Sequence, residues 1–496
     1  MSFAETVPAA LPARESSLAF KLAIAFVLAA LADWLFYDQS IGISAVIFAI
    51  VLVCATAIAN VASLDRKQIW LAGLVLLAGL APAIEEANAL SLALVVLALG
   101  FALSRTTNPD LDRPEQLALA FRDLFVIGPL RFFRDAVGMV SLPSLASGLT
   151  VWFIPLVLGG FFIVMFATAN PVIESWIREL GPGNTASRIS FERILFWIAA
   201  ISLVWPFVHV WWRARPEVAA RSAEPVVDDQ ATASECFELL GAAAILRSLL
   251  LFNLVFAVQS ALDLIYLWGN VELPAGISYA SYAHRGAYAL ILMALLAAGF
   301  VLAAMRPGGP ARDVKVIRPL VYLFVAQNIL LVASSILRLD LYVQIYLLTY
   351  WRVAAFIWML VVALGLVLIV ARIALERPNS WLIRANLIAL TAVLYACSLT
   401  NFAAIIATYN VGHSREAAGK GVTIDMTYLF QLGPQALPAI DRALRLRVPD
   451  PVLAARRDHL ADEQVKRMTS WRAWDFRSWR LQRYMNIPQD GSTAGS

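Results

Sequence analysis

The sequence predicts an all-α protein: a polytopic transmembrane helix bundle of about eleven spans with a small C-terminal extracytoplasmic helical tail. Three observations carry this. Hydrophobic residues make up 60% of the 496 residues and charged residues only 15%, where a soluble domain carries about a quarter. Mean hydropathy is +0.72. The apolar residues also gather into runs of about 18 or more, long enough to cross a bilayer as a helix, with short polar gaps between them.

The runs are read in chain order. Residues 1–19 form a cytoplasmic N-terminal segment, and the transmembrane domain occupies 20–408. The first run is Phe20–Tyr37. Arg14 and Lys21 precede its core, and Ala30-Leu31-Ala32 resembles a signal-peptide cleavage site. The long leading segment and the spans that follow at once favour a retained span. Ile41–Val61, Ile69–Ile84 and Leu90–Leu103 come next. The last two of these are short, so they thin the bilayer locally or form one hairpin that barely crosses. Residues 114–147 are amphipathic and basic: Phe121, Leu124, Phe125, Ile127, Leu130, Phe132 and Phe133 alternate with Arg122, Arg131 and Arg134. Such a stretch lies in the cytoplasmic interface or packs on the bundle. Then come Leu149–Ala169, Ile194–Trp212, Leu239–Trp268, Ala287–Met305, Pro319–Leu337, Val353–Ala371 and Leu382–Thr408. The runs Leu239–Trp268 and Leu382–Thr408 are too long for straight spans and extend past the membrane.

Cations fix the orientation. Arg66 and Lys67, the arginines at 105–134, Arg213, Arg215 and Arg221, the cluster at 306–318, and Arg372, Arg377 and Arg384 fall on one side of this count. Loops rich in Lys and Arg stay in the cytoplasm. The opposite gaps Asp38-Gln39-Ser40 and Glu85-Glu86-Ala87-Asn88 hold no cation. Arg178, Arg188 and Arg193 are the exception. The expectation is a multi-pass protein of a bacterial inner membrane, with its N-terminus cytoplasmic and the tail, 409–496, outside. Helix-like patterning runs through the tail from Pro451 to Gln482, where Trp471, Trp474, Phe476 and Trp479 alternate with Arg472, Arg477, Arg480 and Arg483. This mixture suits a helix lying at lipid headgroups better than nucleic-acid stacking.

Ionisable residues inside hydrocarbon are costly, which makes each a functional candidate. The seventh run carries Arg247, Asn253, Gln259 and Asp263. Gln259 and Asp263 share a helix face. Arg247 lies about 24 Å from Asp263 along a helix, too far to pair, and snorkels toward the interface. The ninth run carries Gln327, Ser334 and Arg338 as a stripe. The span count gathers Asp263, Gln259, His284, Arg285, Arg338, Asp340 and Arg352 at the outer face, with several tyrosines at the same level. Asp33 is a further candidate member. Two readings stand: interhelical staples with tyrosine anchors, or an outward-facing polar site for a small-molecule ligand of unknown identity.

Other chemistry lacks support. Walker A, GxGxxG, HExxH and GxSxG motifs are absent from the sequence, and His209, His284, His413 and His459 lack ligand spacing. No cofactor, no metal and no catalytic residue is expected. Cys54, Cys236 and Cys397 read as small buried hydrophobes without a disulfide framework.

Several spaced segments resemble a known family. They are Leu251-Phe252-Asn253-Leu254-Val255-Phe256, Asp263-Leu264-Ile265-Tyr266-Leu267-Trp268, Leu273-Pro274 with Tyr279, Tyr282 and His284-Arg285-Gly286-Ala287-Tyr288. Tyr342 to Val353, Asn401 to Asn410, Asp425, Tyr428-Leu429 and Leu437-Pro438 continue the pattern. From about Arg247 onward the chain resembles the bacterial multi-pass membrane proteins grouped as domain of unknown function 4153/4173. The resemblance implies an inner-membrane protein and carries no catalytic residues. The leading expectation is a membrane sensor or scaffold, with the lipid bilayer as surroundings, a protein partner through the tail and no nucleic acid. The alternatives are a transporter or channel for a small polar solute, or a membrane-embedded transferase on a lipid-linked substrate.

Overall fold

The computed structural model describes residues 17–61, 67–108, 114–138, 191–212, 242–269 and 316–486. Among these residues every regular element is helical. Six helices are long and apolar enough to cross a membrane, and Ile43–Ala59, Ile69–Glu85 and Phe402–Gly412 are shorter apolar helices. The chain divides into two compact units, one made of 1–215 with 467–479, the other of 216–466 with 480–496.

The first unit is a zigzag of helices α1 (Leu18–Phe36), α2 (Ile43–Ala59), α3 (Ile69–Glu85) and α4 (Ala89–Thr107). Ser17 caps α1, and an Asn88–Ser91 capping box starts α4, so exposed N–H groups at these two starts find acceptors. A bilayer offers no hydrophobic drive between helices, so close packing of small residues does the work. A Cβ added at Gly79 of α3 would stand 2.3 Å from the Ala98 Cβ of α4. Helix α7 (Phe191–Val208) runs antiparallel to α1. Its start holds Arg193 against Asp33, and beyond its end His209 meets Lys21 at 3.4 Å. Ala25 and Ala29 are fully buried where Trp205 packs.

Helices α5 (Pro114–Arg122) and α6 (Gly128–Gly138), joined by a π-helical turn at Asp123–Ile127, cover one end of this unit. Trp205 Nε1 donates to Asp135 at 3.1 Å, Arg131 lies 4.2 Å over the Trp211 ring, and Phe121 and Phe125 reach Gly100. The described part of the amphipathic segment therefore packs on the bundle. The segment 467–479 covers the opposite end. Ile43 N–H donates to the Trp474 carbonyl at 2.7 Å, and Arg477 bonds Glu85 at 3.3 Å and Glu86 at 2.5 Å.

The second unit contains α8 (Ala242–Asp263), α9 (Ile317–Tyr346), α10 (Tyr350–Ala374) and α11 (Asn379–Leu399). Helices α8 and α9 run parallel: Asn253 meets Leu320, Phe256 meets Phe324 and Asp263 meets Arg338. Gly269 and Val316 therefore lie at opposite ends of the pair. Short turns at Leu347–Thr349 and Leu375–Pro378 reverse the chain into α10 and then α11. The core is Ile245, Leu249, Val321, Phe324, Met359 and their neighbours. A layer of shorter helices covers the end where α9 and α11 finish. It comprises α12 (Phe402–Gly412), α13 (Arg415–Ala418), α14 (Met426–Gln431), α15 (Leu437–Arg445) and α16 (Pro451–Met468). Its own core is Ile406, Leu429, Ile440 and Ala443. Asn410 fastens it, accepting from Leu348 N at 2.7 Å and donating to the Leu348 carbonyl at 2.9 Å.

Each predicted run coincides with a described helix except Leu149–Ala169 and Ala287–Met305, which lie outside the described residues. The run Leu382–Thr408 is two helices: Asn401 accepts from Ala404 N at 3.1 Å and caps a new start. The tail pattern Pro451–Gln482 also breaks, at residues 469–475, before α17 (Phe476–Met485). Cys54 is exposed and Cys397 half-buried, which corrects the expectation that both are core residues; Cys236 lies outside the described residues.

Candidate functional site

The polar residues predicted on the seventh and ninth runs meet along the seam between α8 and α9. Asp263 ends α8, is fully buried, and accepts from Gln259 Nε2 at 3.0 Å. The Arg338 guanidinium of α9 donates to the same carboxylate oxygen. Only 7% of the Arg338 side chain is exposed, so this ion pair is sealed from solvent. Directly after Asp263 the chain makes a π-helical turn, Leu264–Trp268. Such turns insert an extra residue and recur at functional sites. At the end of this turn Trp268 Nε1 donates to the buried Ser334 Oγ at 3.2 Å. Two turns further down, Gln327 Nε2 donates to the Asn253 carbonyl at 3.2 Å. The α9 stripe of Gln327, Ser334 and Arg338 is thus the face that α8 covers.

Asp340 and Arg352 stand at the same end of the unit but bond elsewhere. Asp340 accepts from Gln344 Nε2 at 2.8 Å. Burial first, and then the Asp340 charge, push the Tyr409 phenol above its ordinary pKa. Arg352 donates to the Tyr346 carbonyl at 2.6 Å and to the Leu347 carbonyl. Its guanidinium lies 4.6 Å over the Tyr342 ring. Arg352 therefore closes the end of α9, where Leu347 turns the chain with φ of 62°. His284 and Arg285 lie outside the described residues. Arg247 is exposed on α8.

Asp33 belongs to the first unit. It is held there by Arg193, with Nε to Oδ1 at 2.9 Å. Sequence reasoning missed this pair, whose members are 160 positions apart. It also missed Arg477 with Glu85 and Glu86, and the group in which Arg457 Nε (2.8 Å) and Tyr484 Oη (2.9 Å) donate to Asp441. The only available signal was that Asp33 and Arg193 both lie close to the ends of apolar runs. Among the described residues, no group of three or more His, Cys, Asp or Glu side chains gathers as a metal site.

A family model described as a domain of unknown function, DUF4153, matches residues 23–443. The match begins far before Arg247, so the likeness extends across both units rather than only the later half. No curated protein and no solved structure matches the chain. With a match over most of its length, the chain belongs to the DUF4153 family, as an all-helical integral membrane protein.

Proposed function

We propose that this member of the DUF4153 family is a multi-pass scaffold or sensor of a bacterial inner membrane, with about eleven spans, a cytoplasmic N-terminus and an outer polar site. The observation that carries the reading is the buried Asp263–Arg338 pair, set on the end of the second unit that the tail helices cover. The pair's carboxylate is already engaged by Gln259 and Arg338. A path for a charged solute would favour charges left open to it; the Asp263 and Arg338 charges hold α8 to α9 instead. Asn410 grips the α9–α10 turn, and the Tyr350 N–H donates to Tyr428 Oη at 3.0 Å. A load or partner on the tail layer therefore acts on α9 through Leu348 and on α8 through Arg338.

Parity supports the span count. In the first unit, the Asp135 region of α6 packs at the end of α7 opposite to Phe191, where α7 begins. In the second unit, Gly269 and Val316 stand at opposite ends of the parallel α8–α9 pair. The sequence supplies one long apolar run in each connection, Leu149–Ala169 between α6 and α7 and Ala287–Met305 between α8 and α9.

The test is complementation of a deletion strain. Asp263→Ala and Arg338→Ala are expected to abolish rescue at normal protein levels, and the exchange Asp263→Arg with Arg338→Asp to restore part of it. Full rescue by both single variants ends the proposal.

A further inference from the structure

We propose that the α8–α9 seam, beneath the ion pair, is a hydrated polar recess whose buried oxygens hold water deep in the apolar bundle. The proposal stands on atoms other than Asp263 and Arg338 and is independent of their role. Asn253 is 6% exposed and Asn328 1%. Each spends its amide N–H on a main-chain carbonyl one turn back, Leu249 at 2.8 Å and Phe324 at 2.7 Å. Asn253 also donates to Leu320 at 3.1 Å. The donors fix which way the amides point, so the oxygens face away from these carbonyls. Asn253 Oδ1, Gln327 Oε1, Asn328 Oδ1 and Ser260 Oγ are all buried, and none has a hydrogen-bond partner among the described residues.

Four such atoms at one seam are not left dry, because in hydrocarbon a polar group has no solvent to turn to. The three amide oxygens only accept, so the occupant must donate. Asn253 and Ser260 are seven residues apart on α8, two turns along one face. The Gln327–Asn253 bond brings the α9 amides to the same level. Water is small enough to serve several acceptors and normally makes two to four hydrogen bonds when buried. Phe324 lies inside the ladder, 5.0 Å from the Phe256 ring and 2% exposed.

X-ray hydroxyl-radical footprinting of the full chain in lipid nanodiscs tests this without any substitution. Radicals form from water in place, so Phe324 is expected to be oxidised despite its burial. Trp205, equally buried at 1% and intrinsically more reactive, is the control. Phe324 as unmodified as Trp205 overturns the proposal. In the variant Asn253→Leu with Asn328→Leu, oxidation of Phe324 is expected to fall to the level of Trp205. If it persists undiminished in a folded variant, these oxygens do not hold the water and the proposal fails. If that variant does not fold, the wild-type measurement decides alone.

Discussion

The two units treat their polar residues in opposite ways. The first keeps them at its ends: Asp33 with Arg193, Lys21 with His209, Asp135 under Trp205, and Glu85 and Glu86 around Arg477. Between those ends α1, α2 and α7 meet through Leu28, Val46, Leu52 and Val204. The second unit carries polar groups down the middle of a helix pair, from Asn253 to Arg338. End-placed pairs clamp turns, and Arg193 and Glu86 keep part of their side chains exposed, so these pairs fix topology cheaply. A seam of amides and one sealed ion pair is costly and is where function is to be sought. The units also differ in direction. The first starts with α1 and finishes with α7 at the same end, whereas the second starts with α8 and finishes with α11 at opposite ends.

The all-or-none prediction follows from that second difference. On the proposed span count the first unit crosses an even and the second an odd number of times, which would leave the two termini in different compartments. Fusions of alkaline phosphatase and of a cytosolic fluorescent reporter are expected to make the C-terminus active outside and the N-terminus fluorescent inside. Both termini in the cytosol would break the parity of one unit and with it the proposed outer placement of Asp263 and Arg338.

Next in size is the ion pair itself. Arg338→Met leaves Asp263 charged and buried, so unfolding in detergent is expected to become easier by about 3–5 kcal/mol. The double variant Asp263→Leu with Arg338→Met removes both charges and is expected to recover most of that loss. Equal losses in the single and double variants would mean that the seam depends on packing rather than on charge, and the contrast with the first unit would vanish.

Helix positions were legible because each run is apolar along its whole length, and no periodicity had to be resolved. The seam was legible too: Gln259 with Asp263 and Gln327 with Ser334 and Arg338 share faces by spacing alone, and two polar stripes in hydrocarbon must find each other. The partners of Arg352 were not legible, because nearness to one end of a run says nothing about which way a long side chain turns; it bonds the carbonyls that end α9. The break at Asn401 was hidden for another reason. One capping side chain in an apolar run does not lower its hydropathy enough to register. Contacts hundreds of positions apart, such as Arg477 with Glu86, have no local signature at all.

The segment 467–479 sharpens the comparison from the other side, since it lies beyond the family match yet belongs to the first unit. A Cβ at Gly42 would stand 2.4 Å from the Ala473 carbonyl carbon. Gly42→Val is expected to lift this segment, as is Arg477→Ala, which strips a 4%-exposed guanidinium from two carboxylates at a cost of about 2–3 kcal/mol to its docking. Limited proteolysis between Thr469 and Trp479 should accelerate in both variants, while the unfolding of the remaining bundle moves little. A bundle that unfolds together with the segment would make it part of the first unit's core.

The smallest effect belongs to the tail layer of the second unit. Tyr428→Phe removes one partly exposed hydrogen bond, from the Tyr350 N–H at 3.0 Å. Water can replace that acceptor, so the loss is expected to be about 0.5–1.5 kcal/mol. Asn410 differs, because it is 5% exposed and serves both main-chain groups of Leu348. Asn410→Leu strands both, and the loss is expected to be two to three times that of Tyr428→Phe, about 2–4 kcal/mol. The ratio is informative. If the layer only rests on the bundle, both variants loosen it alike and hydrogen exchange rises across α12 to α15 without reaching α9. If it is fastened through Leu348, Asn410→Leu alone carries faster exchange into the last turns of α9, next to Arg338, and the end of this unit behaves as one mechanical piece.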